Sequence, residues 1–162
     1  MKKRALYPGS FDPFTRGHDH IVRRALALMD EIIIAIGANS AKHSYFSPEA
    51  RREMIARLYA SEPRIRVVTY DCLTIDLGRK YEAPFLLRGV RNAADFEYEQ
   101  QLAAANKELS GMETLLLFSD PKLSCVSSSI VRELLRYGRD VSPFIPEGLD
   151  LQAANCTVDP TP

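Results

Sequence analysis

Five short, continuously apolar runs alternate with stretches of helical periodicity along this chain, and few architectures accommodate that alternation. The runs cover residues 4–7, 31–36, 65–70, 84–87 and 114–118. Being continuous rather than alternating, they read as strands covered on both faces. Between them, residues 17–29 place Ile21, Ala25 and Leu28 on one helical stripe with Val22, Leu26 and Met29 beside it. Residues 48–60 follow Ser47 as N-cap and Pro48 at the first helical position. A shorter helix is expected over 74–81. Residues 93–109 carry Tyr98, Leu102, Ala105 and Leu109 at helical spacing, capped by Asn92 with Asp95 in the first turn. The last helix is expected over 128–137, from a Ser127 cap to a Gly138 stop.

Strand and helix in turn predict an α/β fold, a Rossmann-like doubly wound five-stranded parallel sheet with helices on both faces. The 162 residues favour a single domain, expected over 1–148, with 149–162 a poorly ordered C-terminal tail. Ligands bind such sheets beyond the carboxyl ends of the strands. The rule singles out residues 8–18, 37–46, 88–91 and 119–129, which hold nearly all the chemically interesting side chains.

Composition excludes several functions. Lys plus Arg and Asp plus Glu each number 21, so no broad basic field points to nucleic acid. The run Ile32–Ile36 is far too short to span a bilayer. Cys72, Cys125 and Cys156 lack Cys-x-x-Cys spacing, which removes zinc and redox motifs. Their odd number and the absence of a signal peptide lead us to expect a reducing cytoplasm. Cys72 and Cys125 read as small buried apolar residues.

The stretch Tyr7-Pro-Gly-Ser-Phe-Asp-Pro-Phe-Thr-Arg-Gly-His18 joins the first strand to a helix start. Glycine permits close backbone approach, and a helix start offers unpaired N–H groups suited to phosphate. A histidine there can donate to a phosphoryl oxygen; taken alone it could equally cap and pack the helix. Val126-Ser127-Ser128-Ser129 opens the last helix with stacked hydroxyls, although N-capping needs only one. Arg88-Gly89-Val90-Arg91 brackets a glycine with two guanidiniums, which match phosphate oxygens bidentately or lie exposed as a surface pair. Asp95 and Glu99 share the next helix face, where they orient Arg91, meet a ribose or base, or are solvated. Lys42 follows the second strand, a position where lysines are usually just exposed. His20 and His43 read as structural or surface residues. Neither the P-loop nor the Gly-x-Gly-x-x-Gly pattern is present.

Thr15-x-Gly-His18 after Gly-Ser-Phe-Asp-Pro resembles the signature of the nucleotidyltransferase superfamily, and Val126-Ser-Ser-Ser-x-x-Arg132 resembles its second element. Arg88-Gly-Val-Arg91 with Asp95-Phe-Glu-Tyr-Glu99 narrows the resemblance to the phosphopantetheine adenylyltransferase family over residues 2–148. The resemblance implies Mg²⁺-assisted adenylyl transfer from ATP to 4′-phosphopantetheine, giving dephospho-CoA and pyrophosphate. It implies a cytoplasmic homohexamer with coenzyme A as feedback inhibitor, and no protein metal ligands. By the same resemblance, His18 stabilises the α-phosphoryl transition state, while Lys42 and Arg88 hold the acceptor phosphate near Ser10. The backbone near Thr74 meets the pantetheine arm. Ser10, Phe11, Gly89, Val90, Arg91, Glu99, Leu123, Ser124, Cys125, Val126, Ser127, Ser128 and Ser129 line the ATP site. Position 10 is Ser where the family more often has Thr. Asp19 directly follows the histidine, where the family places its Asp one residue later. Other small nucleotidyltransferases, with nicotinamide mononucleotide or glycerol phosphate as acceptor, and a nucleotide sensor without turnover remain alternatives.

Overall fold

The computed structural model describes residues 2–38 and 44–152. Five strands, β1 (Arg4–Gly9), β2 (Glu31–Gly37), β3 (Ile65–Tyr70), β4 (Phe85–Val90) and β5 (Glu113–Phe118), form one parallel sheet in the order β3-β2-β1-β4-β5. The helices are α1 (Arg16–Ala25), α2 (Pro48–Leu58), α3 (Thr74–Lys80), α4 (Ala93–Ser110) and α5 (Ser128–Arg136). β1 is central and pairs β2 on one side and β4 on the other. Chain order reverses between β1 and β4, so the crevice past their carboxyl ends is the ligand position for this topology.

Side chains alternate across the sheet. Tyr7, Ile32, Ile34, Ile36 and Leu87 pack on one face with Ile21 and Val22 of α1 and Met54 and Ile55 of α2. Leu6, Ile33, Ala35 and Leu86 pack on the other with Leu77 of α3 and Met112. Each fully buried Leu or Ile contributes about 1.5–3 kcal/mol. The edge strands β3 and β5 are only half-buried, so covering on both faces holds for the centre of the sheet and not for its rims.

The expected helix starts are found, and Ser47 and Asn92 accept from Ala50 N at 3.1 Å and Asp95 N at 2.9 Å. Several boundaries differ. β1 runs on through Pro8 and Gly9, and β4 runs through Arg88, Gly89 and Val90, which pair with β5 rather than following the strand. α1 stops at Ala25 in a short turn, leaving Leu28 exposed instead of on the stripe. On α4 the spaced residues Tyr98 and Leu109 are exposed, and the one buried side chain is Glu99. Spacing alone did not reveal that no layer of the described residues covers this face. Cys72 and Cys125 are exposed, against the expectation of burial, because both lie in connections beyond strand ends.

Asp19 ties α1 to the end of α2. Its carboxylate accepts from Tyr59 Oη at 2.6 Å and Arg23 Nε at 2.7 Å. The Nδ1 of the adjacent His20 is buried without a partner among the described residues.

Leu149 is buried in the main core and Leu151 packs against it, so packing continues past residue 148. Residues 153–162 of the expected tail lie outside the described residues. Leu149→Ala should lower stability by about 2 kcal/mol or more, as for other buried leucines. Chemical denaturation checks this, and an unchanged midpoint would place the domain's end before residue 149.

Candidate active site

Two helix starts converge on the turn that leaves β1. Thr15 caps α1, and its backbone N–H donates to His18 Nδ1 at 3.0 Å while its hydroxyl accepts from His18 N at 3.5 Å. Histidine thus takes the place that Glu or Gln usually fills in a capping box. The bond also sets the tautomer: Nδ1 accepts, so Nε2 carries the proton. Nε2 has no partner among the described residues. The ring packs edge-on to Phe11 (5.0 Å between centroids) and against Phe14 (5.3 Å). Burial, then the nearby Arg91 charge, lowers its pKa from 6.5 to about 4. His18 is therefore a neutral N–H donor at ordinary pH.

α5 is fastened to the same turn. Ser127 caps it by accepting from Ile130 N. Ser128 Oγ donates to Pro13 O at 2.8 Å. Arg132 donates from Nη1 to Asp12 O at 2.7 Å and from Nη2 to Ser129 Oγ at 3.2 Å. The α1 and α5 N-termini, both lacking intrahelical partners for their first N–H groups, thus open onto one cleft of about 500 Å³.

Of the residues assigned to ATP by the resemblance, Ser10, Phe11, His18, Gly89, Arg91, Glu99, Leu123, Val126, Ser127, Ser128 and Ser129 are brought together in the wall of this cleft. Phe11 differs in kind: its ring is buried below Gly9, where a Cβ would come within 2.7 Å of Phe11 Cζ, so only its backbone is left for a ligand. Val90 is buried in the sheet and is not in the wall. Ser124 and Cys125 are exposed and also outside it.

A second cleft of about 570 Å³ adjoins the first, and Pro8, Gly9, Ser10, Arg88, Glu99 and Arg132 border both. Thr74 lies in its wall beside Tyr70, with the two hydroxyls 3.5 Å apart. Arg88 sits on β4 at the boundary. Its Nε meets Glu99 Oε2 at 2.8 Å, Nη2 bonds Glu99 Oε1, and Nη1 donates to Pro8 O at 3.0 Å. Burial works against the guanidinium's charge, and the Glu99 fork more than offsets this, raising the pKa. Among the described residues three of its five N–H groups are used, leaving two for an anion. Arg91 pairs with Asp95, not Glu99, at 3.2 Å. Glu99 is thus the buried partner of Arg88, a role that helical spacing did not distinguish from contact with ribose.

Lys42 falls outside the described residues. Arg51, Arg132 and Arg136 also line the larger cleft and were not among the expected site residues. Arg132 was visible at the end of the serine element. Arg51 carried no signal, standing beside Arg52 in what reads as a charged helix face.

Residues 6–134 match the cytidylyltransferase-like family model. A Porphyromonas gingivalis protein named phosphopantetheine adenylyltransferase is 59% identical over 93% of this chain and 99% of its own length. Proteins of the same name from Bacteroides thetaiotaomicron and Flavobacterium johnsoniae are 56% and 46% identical, over 92% and 91% of this chain and 99% and 97% of theirs.

The lowered His18 pKa carries a stability consequence. The neutral ring is favoured in the folded state, so its contribution is complete above pH 6.5 and is lost as pH falls through about 4. Relative to His18→Gln, the wild type should lose at most about 3 kcal/mol across that window, measured by denaturation at stepped pH. A constant difference would contradict the half-buried neutral ring.

Proposed function

The chain belongs to the cytidylyltransferase-like family and, within it, to the phosphopantetheine adenylyltransferases, and from that membership we propose how its side chains divide the work of adenylyl transfer from ATP to 4′-phosphopantetheine. This is a step of coenzyme A biosynthesis. The acceptor's phosphate oxygen forms a bond to the α-phosphorus of ATP. The bond from that phosphorus to the bridging oxygen breaks, and pyrophosphate leaves with the electron pair. Two anions must meet and no covalent enzyme intermediate is needed, so positioning and charge stabilisation supply the catalysis.

The observation that carries the reading is the pair of adjoining clefts with Ser10, Arg88 and Arg132 on their shared border. ATP occupies the smaller cleft. Its triphosphate lies across the α1 and α5 N-termini, held by Ser127, Ser128, Ser129, Arg91 and Arg132. His18 Nε2–H donates to a non-bridging oxygen of the α-phosphate, and its neutrality means that no proton need leave the ring. The acceptor occupies the larger cleft, its phosphate against Ser10 and the free Arg88 donors, with Lys42 assigned to the same phosphate. The pantetheine arm passes Thr74 along α4, where Leu102 and Asn106 face the cleft. Coenzyme A shares that arm and would compete for the same space as a feedback inhibitor.

Among the described residues no three His, Cys, Asp or Glu side chains converge. Mg²⁺ carried in by ATP would supply further charge neutralisation to the triphosphate, beside the Arg91 and Arg132 guanidiniums. Phe96 and Phe118 flank a shallow apolar groove, and Leu109 is exposed towards the other end of α4. These surfaces support burial against further copies in a homohexamer. No helix among the described residues is long and apolar enough to cross a membrane, and the free thiols Cys72 and Cys125 suit a reducing cytoplasm.

Pyrophosphate release with ATP and Mg²⁺ should require 4′-phosphopantetheine and yield dephospho-CoA by mass. Release with nicotinamide mononucleotide instead would move the acceptor assignment, and ATP binding without release would make this a sensor. His18→Ala should lower kcat by at least ~10²-fold, the usual loss for one oxyanion-type donor. Near-normal turnover in the folded variant would remove His18 from that role.

A further inference from the structure

Arg51 is only 3% exposed, yet no carboxylate bonds its guanidinium among the described residues. Nε donates to Phe46 O at 3.0 Å and to Ser47 O at 3.3 Å, and Nη1 donates to Ser10 O. Asp12 runs the reverse way between the same two segments, accepting from Tyr45 N at 2.7 Å and Phe46 N at 2.9 Å. Burying a guanidinium to bond backbone carbonyls is an expensive way to stabilise a loop, and an apolar side chain is often as good. What the guanidinium does, and an apolar side chain could not, is fix the direction of the Ser10 carbonyl.

That direction matters because the Ser10–Phe11 peptide is planar and trans, so its C=O and N–H point opposite ways. Phe11 sits at φ 48°, a left-handed conformation unfavourable by roughly 1–2 kcal/mol for a residue with a Cβ. The surroundings therefore impose this peptide's orientation. With the carbonyl turned to Arg51, in the wall of the larger cleft, the Phe11 N–H faces away from it. Phe11 lines the smaller cleft, and among the described residues its N–H has no partner.

We propose that Arg51 is a positioning residue: by holding the Ser10 carbonyl it turns the Phe11 N–H into the nucleotide cleft as a backbone donor to the transferred phosphoryl group, opposite His18. This rests on the adenylyl-transfer reading above. It gives the transition state two donors that need no reorganisation, one from a side chain and one from the backbone.

Two measurements test it. Arg51→Lys keeps the charge but loses the planar fork that reaches both Ser10 and Phe46. Its kcat should fall at least ~10-fold with KM for ATP little changed, the mark of an interaction made in the transition state. A lower melting temperature with unchanged kcat would make Arg51 merely structural and overturn the proposal. The second measurement needs no variant, and so stands even if Arg51→Lys does not fold. Ser10-Phe11 is the one Ser-Phe pair in the chain, so ¹³C-serine with ¹⁵N-phenylalanine labelling isolates its amide in a single NMR cross-peak. Adding Mg²⁺ with α,β-methylene-ATP should move that amide proton downfield and slow its exchange; an unmoved peak under saturating nucleotide would overturn the proposal. If wild-type protein releases no pyrophosphate with phosphopantetheine, the functional reading fails instead, and the two failures are told apart.

Discussion

The Asp12-Pro13 segment is where separate parts of the chain are bound into one site. The Asp12 carboxylate takes the N–H groups of Tyr45 and Phe46, ahead of α2. Its carbonyl takes Arg132, and the Pro13 carbonyl takes Ser128, both from α5. Two residues past the end of β1 thereby fix the entry of α2 and the start of α5 relative to α1. A buried carboxylate is costly unless its oxygens are satisfied, and here each accepts a backbone N–H. Without this junction the α5 hydroxyls and His18 would have no reason to face one cleft.

Electrostatics around the cleft follow a consistent rule: the cations are held without being fully consumed. Glu99 takes two edges of Arg88, and Asp95 takes one of Arg91. Each guanidinium is oriented before a ligand arrives and retains donors for it. Orientation of that kind reduces the reorganisation needed on binding, which matters more for phosphoryl transfer than raw positive charge. It also explains how a chain of zero formal net charge can present a cationic cleft.

Much of this was legible in the sequence. Continuous apolar runs such as Ile32–Ile36 gave a parallel sheet because only buried strands tolerate them, and Ser47, Asn92 and Ser127 announced helix starts through local bonding. The strand ends were less legible: Arg88 to Val90 belong to β4 because β5 pairs with them, a long-range fact. The Tyr98–Leu109 spacing was a true helix signal but not a core signal, since periodicity does not say whether a layer lies above. Phe11 lines the smaller cleft, but its buried ring leaves the backbone rather than the side chain facing it. Arg51 was invisible, because its meaning lies in carbonyl groups that every residue possesses.

The central claim is the proposed one that a neutral His18, with Nδ1 accepting from Thr15 and Nε2–H without a partner among the described residues, donates to the nucleotide. Imidazole ¹⁵N shifts of labelled protein report this directly, with His18 assigned by its loss in His18→Gln. Near neutral pH the account predicts an unprotonated Nδ1 and a protonated Nε2. A protonated Nδ1, whether in the other tautomer or in an imidazolium, would contradict it.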